Sequence, residues 1–291
     1  MNNFIFLGGD LRFIYAASKL NKTHDCFVYG FDMIHDDTRV ETGVPLLRQI
    51  RRCNNVVLPL PVSVNCDYIT APYSSEEMPF SSIVKAIEPG GTVYCGKECP
   101  ALREFCEKRD LTLIDYFERE ELAVMNAVST SEGAIEIIMR EQATTIMGMN
   151  ILITGYGRIS KVLSRYLHSL GANVTVCARK FSDLAWARIM GCSAVLLSEI
   201  DDLLSSFDTV VNTVPAQIFD REMLLKLKSD CLIVDLASKT GISDMELAKS
   251  SGVKVIWALS LPGKVAPITA GHIIADTILN IIAENEKGGE L

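Results

Sequence analysis

The sequence predicts an α/β protein built from two doubly wound parallel-sheet domains that are joined by a helical bridge. Short apolar runs alternate with stretches of helical periodicity along most of the chain, which is typical of a parallel sheet with right-handed crossovers. A length of 291 residues exceeds one typical core and suits two domains. In each half a glycine turn follows an apolar run, at Gly8-Gly9 and at Gly155-Tyr156-Gly157.

The predicted domain boundaries follow from these patterns. Residues 1–117 are predicted to form an N-terminal, flavodoxin-like domain for the substrate, and residues 118–148 the interdomain helical bridge. Residues 149–271 form the second sheet domain, and residues 272–291 a C-terminal helix that we expect to pack back on the first domain.

The first domain is read as five strands separated by helices. The strands are predicted at residues 3–7, 26–30, 56–60, 92–95 and 111–114, and the helices at 11–20, 81–86 and 100–108. The turn Gly8-Gly9-Asp10-Leu11-Arg12 leaves two readings open. Glycines before a helix N-terminus can form an anion site, in which Arg12 would hold a substrate carboxylate. The alternative is a simple turn in which Asp10 caps the helix.

The bridge is predicted to contain two helices. Residues 117–147 have helical periodicity, but the polar stretch 126–130 is expected to interrupt it, with a second helix starting at Thr130-Ser131-Glu132-Gly133. We expect Asn126, Thr130 and Glu132 to lie near the cleft between the domains. The alternative role for each of them is helix capping.

The second domain begins with a strand, a glycine turn, a helix over 159–170 and a second strand over 174–177, the βαβ unit that binds a dinucleotide in Rossmann domains. Gly155 permits the tight turn, and Gly157 lets the backbone approach a pyrophosphate at the positive end of the helix dipole. Ser160 stands at the third small position of the motif. The predicted contacts from this turn are Gly155, Tyr156, Gly157, Arg158 and Ile159.

The end of the second strand of this unit favours NADP as the cofactor, with NAD as the alternative. An acidic residue there would bind the ribose 2′-hydroxyl of NAD, but the chain has Ala178, Arg179 and Lys180. Two cations suit the 2′-phosphate of NADP. The alternative is a solvated loop with two ordinary surface cations.

The rest of the second domain is read as strands at 194–197, 210–213, 232–235 and 254–257, a short helix at 200–205, a loop at 259–271 and a closing helix at 272–284. Ligands of such sheets lie at the carboxyl ends of the strands. The loops there are therefore expected to face the cofactor, with contacts from Thr213, Val214, Pro215, Leu236 and Ala237.

Composition excludes several classes of function. A net charge of −8 and an isoelectric point near 5.1 argue against nucleic acid as a partner. The N-terminus lacks a basic region and a long apolar run, so we expect no signal peptide and no membrane span. The nine cysteines form no C-x-x-C pair, which predicts free thiols in a reducing cytoplasm and no metal site.

Several motifs together resemble one family, the A subunits of dipicolinate synthase. They are Gly8-Gly9-Asp10-Leu11-Arg12, 126–134, Gly155-Tyr156-Gly157-Arg158, 212–215, 235–239 and, most distinctively, Leu261-Pro262-Gly263-Lys264-Val265-Ala266-Pro267. The resemblance implies a fold similar to two-domain 2-hydroxyacid dehydrogenases. It also implies that the protein, with a flavoprotein-like B subunit, makes dipicolinate from dihydrodipicolinate or its hydrated precursor. The implied setting is the mother-cell cytoplasm of a spore-forming bacterium; homo-oligomerisation is left open.

The substrate implied by the resemblance is a small dicarboxylate, for which we expect cationic ligands and one base. Lys264, Lys239 and Arg12 are the candidate cations, in that order. His272, whose intrinsic pKa suits proton transfer, and Glu132 are the candidate bases. His24, His35 and His168 are read as surface groups.

Two other functions stay open. A 2-hydroxyacid dehydrogenase would need an arginine after the strand that ends at Asp235, where Ser238 and Lys239 stand instead. A dinucleotide-binding regulatory or scaffold protein would leave the chemistry to the B subunit, in keeping with the lack of an evident acid–base pair.

Overall fold

The computed structural model describes residues 2–34 and 46–288, which fold into two compact units. The first unit comprises the described residues within Met1–Met125 and Ala266–Leu291, and the second comprises Asn126–Val265. Each unit contains one parallel sheet with helices on its faces. The predicted fold class, two parallel-sheet α/β domains of which the second is Rossmann-like, is confirmed.

The first unit contains a five-stranded sheet with the order β2-β1-β3-β4-β5. Its strands are β1 (Asn3–Leu7), β2 (Asp25–Tyr29), β3 (Asn55–Val57), β4 (Thr92–Cys95) and β5 (Thr112–Asp115). Its helices are α1 (Leu11–Leu20), α2 (Leu46–Ile50), α3 (Phe80–Ala86) and α4 (Pro100–Glu107), and a 3-10 turn, Tyr116–Glu118, follows β5. This strand order is that of flavodoxin-like sheets.

Successive residues of β1 point to opposite faces of this sheet and belong to two separate apolar layers. Phe4 and Phe6 of β1 pack with α1, whereas Ile5 and Leu7 pack with α3 and α4 on the opposite face. Tyr116 is fully buried and donates its hydroxyl to the carbonyl of Leu58 at 2.9 Å. This hydrogen bond joins the carboxyl end of β3 to the segment that follows β5.

The next helix of the chain, α5 (Glu120–Glu141), is continuous, so the predicted interruption at residues 126–130 is wrong. Thr130 and Ser131 donate their hydroxyls to the carbonyls of Asn126 and Ala127, at 2.8 and 2.7 Å. These polar side chains are therefore satisfied inside the helix and do not break it. Within residues 2–34 and 46–288, α5 alone is long and apolar enough to cross a membrane, and 44% of its most apolar window is buried in the protein.

The second unit contains a six-stranded parallel sheet with the order β11-β10-β9-β6-β7-β8. Its strands are β6 (Asn150–Thr154), β7 (Asn173–Ala178), β8 (Ser193–Leu196), β9 (Thr209–Asn212), β10 (Leu232–Asp235) and β11 (Lys254–Trp257). Its helices are α6 (Arg158–Ser169), α7 (Phe181–Ile189), α8 (Arg221–Lys226), α9 (Met245–Ser250) and α10 (Leu261–Val265). The order matches the dinucleotide-binding doubly wound sheet, whose switch point lies between β6 and β9.

Two further predictions about local structure are corrected. The short helix predicted at 200–205 is a 3-10 segment, Asp201–Ser206. The predicted loop at 259–271 contains α10, and α11 (Pro267–Gly288) begins before residue 272. Pro267 opens α11 because proline is accepted in a first helical turn, where its missing N–H is not needed.

Helix α11 packs closely along α1 in the first unit. A Cβ atom on Gly271 would lie 2.3 Å from the carbonyl oxygen of Arg12, so only glycine fits at this crossing. Ion pairs of Lys19 with Asp276 and of Arg119 with Glu284 lie along the same helix, at 2.6 and 2.7 Å.

Candidate functional site

The carboxyl ends of β6, β7 and β9 meet at a tight turn centred on Gly155. Gly155 has a φ of +84° and donates its N–H to the carbonyl of Cys177 at 2.8 Å. A Cβ atom here would lie 2.8 Å from Cγ2 of Val214 and 2.9 Å from Oγ1 of Thr213. Glycine is therefore required both by the backbone conformation and by the space, which agrees with its predicted role in the turn.

The turn leads into α6 through Gly157, which is the N-cap residue of this helix. Gly157 has no side chain to cap the first turn, and a Cβ atom on it would have no neighbour within 4 Å. The first N–H groups of a helix have no partner within the helix, and the helix dipole makes this end positive. The N-terminus of this twelve-residue helix therefore faces open space beside Gly157, which suits an anion such as a pyrophosphate.

Ser160, at the third small position of the motif, is fully buried and does more than allow close packing. Its Oγ lies 2.8 Å from Oγ1 of Thr213, which donates to the carbonyl of Thr154 at 2.7 Å. The first turn of α6 is therefore joined to the ends of β6 and β9. The replacement of glycine by serine in the motif is explained by this hydrogen bond.

Asn212 and Asp235, at the ends of β9 and β10, are buried polar residues that sequence reasoning placed in motifs but gave no role. Both are fully buried, and Nδ2 of Asn212 donates to Oδ1 of Asp235 at 2.8 Å. The signal in the sequence was a polar residue ending each of two apolar runs, in a sheet whose ligand edge lies at those ends.

The two cations after β7 lie on the surface beside the glycine turn. Arg179 and Lys180 are exposed, and Arg179 makes no hydrogen bond or ion pair with the part of the chain that the structure describes. The residues between β7 and α7 carry no carboxylate. This end of β7 therefore presents positive charge where an NAD-specific carboxylate would stand.

Several predicted cofactor residues are buried, so only their main chains remain for contact. Tyr156 packs its ring in the core under α6, where burial raises the pKa of its hydroxyl. Ala178, Leu236 and Ala237 are also buried. The exposed or half-exposed predicted contacts are Gly155, Gly157, Arg158, Ile159, Arg179, Lys180, Thr213, Val214 and Pro215.

Three of the predicted catalytic residues belong to the second unit. Lys239 lies in the loop after β10 and Lys264 in α10; both are exposed and have no ion-pair partner among residues 2–34 and 46–288. Glu132 is exposed on α5, where it lines an open cavity of about 540 Å³ with Ile135 and Met139.

Contacts of α5 with α10 and α6 bring some of these groups together. A Cβ atom on Gly133 would lie 3.2 Å from the side chains of Leu261 and Val265, so α10 packs against α5 next to Glu132. Ser131 also lies 3.5 Å from the carbonyl of Ile159 in the first turn of α6. Helix α5, which carries Glu132, therefore contacts both the first turn of α6 and α10, the helix that carries Lys264.

Arg12, in the first unit, is largely committed to the fold. Its Nε and Nη2 bind the Asp10 carboxylate at 2.8 Å, and Nη2 also donates to the carbonyl of Leu60 at 2.8 Å. Asp10 in turn caps α1 by accepting from the main-chain N–H of Arg12. The structure thus favours the capping reading of this turn, in which Asp10 and a buried arginine fix the loop at Leu60.

His272 lies on α11, the helix that packs along α1. Burial and the nearby Lys19 lower the pKa of this histidine, and Asp276 opposes the shift. The preceding residue, Gly271, packs on the main-chain carbonyl of Arg12, whereas the guanidinium of Arg12 binds Asp10 and the carbonyl of Leu60. Of the other histidines, His24 packs on Phe4, His168 is exposed, and His35 lies outside the described residues.

All nine cysteines are free thiols, and eight of them are buried. Burial raises the pKa of Cys177, next to the glycine turn, to about 12, and that of Cys231 also to about 12. Thiols of this kind are protonated at neutral pH and are poor nucleophiles. We therefore assign no catalytic role to Cys177 or Cys231.

Comparisons with known proteins divide the chain in a similar way. Residues 3–117 match the family of N-terminal domains of the dipicolinate synthase A subunit. Residues 119–254 match the family described as "D-isomer specific 2-hydroxyacid dehydrogenase, NAD binding domain". The second match supports a nicotinamide dinucleotide as the cofactor and an oxidoreductase as the class of protein.

Relatives cover nearly the whole chain. The dipicolinate synthase A subunit of Bacillus subtilis (strain 168) is 29% identical over 282 residues, which are 96% of this chain and 95% of that protein. The crystal structure of the A subunit from Bacillus halodurans is 28% identical with a TM-score of 0.86, covering 97% of this chain and 98% of that one. The crystal structure of the Bacillus subtilis protein gives a TM-score of 0.87 at 27% identity, covering 99% and 97%.

Proposed function

Because the chain belongs to the family of dipicolinate synthase A subunits, we propose that it oxidises dihydrodipicolinate, or its hydrated precursor, to dipicolinate with a nicotinamide dinucleotide. The observation that carries this proposal is the open N-terminus of α6 behind the Gly155 turn. There, the open space at Gly157 and the main-chain amides of the first turn fit the pyrophosphate of such a coenzyme.

The reaction requires little covalent help from the protein. The dihydro ring loses one hydride and one proton, and it becomes an aromatic pyridine; the hydrated precursor must lose one molecule of water as well. When bound, the coenzyme supplies the nicotinamide ring that accepts the hydride. The chain's own residues must bind two carboxylates, hold the ring in place and take up the proton.

We assign the carboxylates to the exposed cations of the second unit. Lys264 and Lys239 are free to bind an anion, since neither has an ion-pair partner in the described ranges 2–34 and 46–288. Arg12 ranks behind them because Asp10 and Leu60 already occupy its Nε and Nη2.

For the proton, Glu132 ranks before His272. Glu132 lies on the same unit as the coenzyme turn, one residue before the contact of α5 with α10. His272 is the alternative, since burial and Lys19 lower the pKa of this histidine and so favour its neutral, proton-accepting form.

NADP is the proposed coenzyme, and Arg179 is its proposed 2′-phosphate ligand. Replacing Arg179 by alanine is expected to weaken NADP binding by about 1–3 kcal/mol, the scale of hydrogen bonds to charged groups, and to leave NAD binding nearly unchanged. Isothermal titration with both coenzymes measures this. Arg165→Ala, on the exposed surface of α6, is the matched control and should change neither affinity. Equal losses for NADP and NAD, or none, would reject this role.

The partner is proposed to be the B subunit of dipicolinate synthase, since the relatives are named as one subunit of a synthase. Purified chain, supplied with dihydrodipicolinate and NADP, is expected to form dipicolinate and NADPH in equal amounts, with or without this partner. Absorbance at the NADPH band and chromatography of dipicolinate check this. Turnover only in the presence of the B subunit would instead support a dinucleotide-binding scaffold or a shared active site. We place the reaction in the mother-cell cytoplasm of a spore former.

The 2-hydroxyacid dehydrogenase alternative lacks its arginine. The loop after β10 offers Ser238 and Lys239 in its place, and Asp235 is buried rather than aimed at a substrate. We expect no oxidation of NADH by pyruvate-type substrates; oxidation would support this alternative.

A further inference from the structure

A fully buried carboxylate joins the loops at the ends of β9 and β10. Oδ1 of Asp235 accepts from Nδ2 of Asn212 at 2.8 Å and from the N–H of Ala237 at 3.1 Å. Oδ2 accepts from the hydroxyl of Thr240 at 3.0 Å and from the N–H of Gly241 at 2.7 Å. One side chain therefore fixes both ends of the loop 236–241.

Asn212 extends this network to the neighbouring strands. Its Oδ1 accepts from the hydroxyl of Thr154 at 2.6 Å and from the N–H of Val214 at 3.1 Å. Its Nδ2 donates to the carbonyl of Val214 at 3.1 Å as well as to Asp235. The amide thus holds the start of the loop 213–216 against β6 and against the carboxylate.

Packing leaves these loops little freedom to shift. A Cβ atom on Gly241 would lie 2.4 Å from Nδ2 of Asn212, so the loop from β10 is pressed directly on that amide. The indole N–H of Trp257 donates to the carbonyl of Ala237 at 2.8 Å, which fixes the same loop from β11.

The position in the sheet indicates which part of a ligand these loops serve. A doubly wound sheet binds a dinucleotide across two mononucleotide halves that meet at the switch point. The glycine turn and Arg179 belong to the half that contains β6 and β7. The loops held by Asp235 and Asn212 belong to the other half, on the far side of the switch point, where the nicotinamide nucleotide would lie.

We infer that Asp235 is a positioning residue for the nicotinamide half of the coenzyme, acting through Asn212 and the loops 213–216 and 236–241. This inference rests on the coenzyme binding proposed above, and it assigns the two halves of the coenzyme to two different parts of the site. The α6 turn binds the adenosine diphosphate half, and the Asp235 network shapes the surface for the redox half.

A carboxylate is required at residue 235 because four donors converge on its two oxygens. Asparagine has the same shape but replaces one acceptor by a donor. Whichever way its amide is turned, two of the four donors then face an N–H₂ group. A buried donor without an acceptor is costly, so the loop is expected to leave its position.

The test compares coenzyme binding with binding of ADP, which lacks the nicotinamide nucleotide. Calorimetric dissociation constants for NAD, NADP and ADP are measured on the full chain and on Asp235→Asn. Of NAD and NADP, the coenzyme that the unaltered protein binds more tightly should bind to the variant at least about ten-fold more weakly. The dissociation constant for ADP should stay within about two-fold of its value for the unaltered protein.

Two more variants control for the case in which Asp235→Asn fails to fold. Thr240→Val removes one of the four donors and leaves the carboxylate with three, so it should fold and show the same selective effect to a smaller degree. Asp244→Ala removes the N-cap of α9 in the same unit. It should lower thermal stability without changing the affinity for coenzyme relative to that for ADP.

The outcomes separate this inference from the proposed function. Selective loss of coenzyme affinity in Asp235→Asn or Thr240→Val supports the inference. Equal changes for coenzyme and ADP in both variants, or none, would overturn it while leaving the proposed function in place. Failure of the unaltered protein to bind either coenzyme would overturn both.

Discussion

Replacing Gly155 by alanine is expected to lower the free energy of unfolding of the second unit by about 2–4 kcal/mol. A φ of +84° is costly for any residue with a Cβ atom, and the added atom would lie 2.8 Å from Val214 and 2.9 Å from Thr213. Thr213 cannot retreat, because its hydroxyl is hydrogen-bonded to Thr154 and Ser160. Thermal unfolding should show a decrease in Tm of about 5–15 °C, with loss of coenzyme binding.

Gly148→Ala is the matched control for this substitution. Gly148 also has a positive φ, +79°, but a Cβ atom on it would have no neighbour within 4 Å. It should therefore show only the backbone part of the cost, about 1–2 kcal/mol, and keep coenzyme binding. If the two variants were equally stable, the close packing of Gly155 on the end of β9 would not be what fixes the turn.

Replacing Gly157 by alanine is expected to have the opposite profile, with little effect on folding and a large effect on binding. The φ of −86° suits alanine, and the new methyl group would enter open space. That space is where the backbone must approach a pyrophosphate. We expect coenzyme affinity to fall about ten-fold or more, since every 1.4 kcal/mol is tenfold, while Tm falls by only about 2–4 °C because alanine is a poorer N-cap residue than glycine.

Gly157→Ser distinguishes two explanations for weaker binding: steric blocking of the coenzyme site and poorer capping of α6. Serine is a better N-cap than alanine, so this variant should fold at least as well as Gly157→Ala, yet its Cβ atom occupies the same space. Both variants should lose coenzyme affinity. If serine restored binding, the effect of alanine would be due to the loss of helix capping, and Gly157 would not border the pyrophosphate.

Much of the fold followed from local sequence patterns. Apolar runs of four or five residues predicted the strands of both sheets, and Gly155-Tyr156-Gly157 predicted the turn from β6 into α6. These features depend on neighbours in sequence, so periodicity and turn chemistry suffice for them. The polar stretch at 126–130 misled the prediction because serine and threonine hydroxyls can also bond to carbonyls four residues back in a helix.

The remaining features depend on contacts between distant residues. The bond from Arg12 to the Leu60 carbonyl spans 48 residues, and that from Asn212 to Asp235 spans 23. No local pattern reveals that Asp235 is buried with four donors around it, or that Tyr156 turns its ring into the core. Side-chain direction at the ends of strands depends on tertiary packing, which is why individual site residues were harder to predict than the site.

A crystal structure of the complex with NADP tests the central claim most directly, because it shows which groups contact the pyrophosphate. We expect pyrophosphate oxygens at hydrogen-bond distance, about 2.7–3.2 Å, from main-chain nitrogens in the first turn of α6, next to Gly157. Coenzyme bound at another edge of the sheet, or a protein side chain occupying those amides in its place, would contradict it.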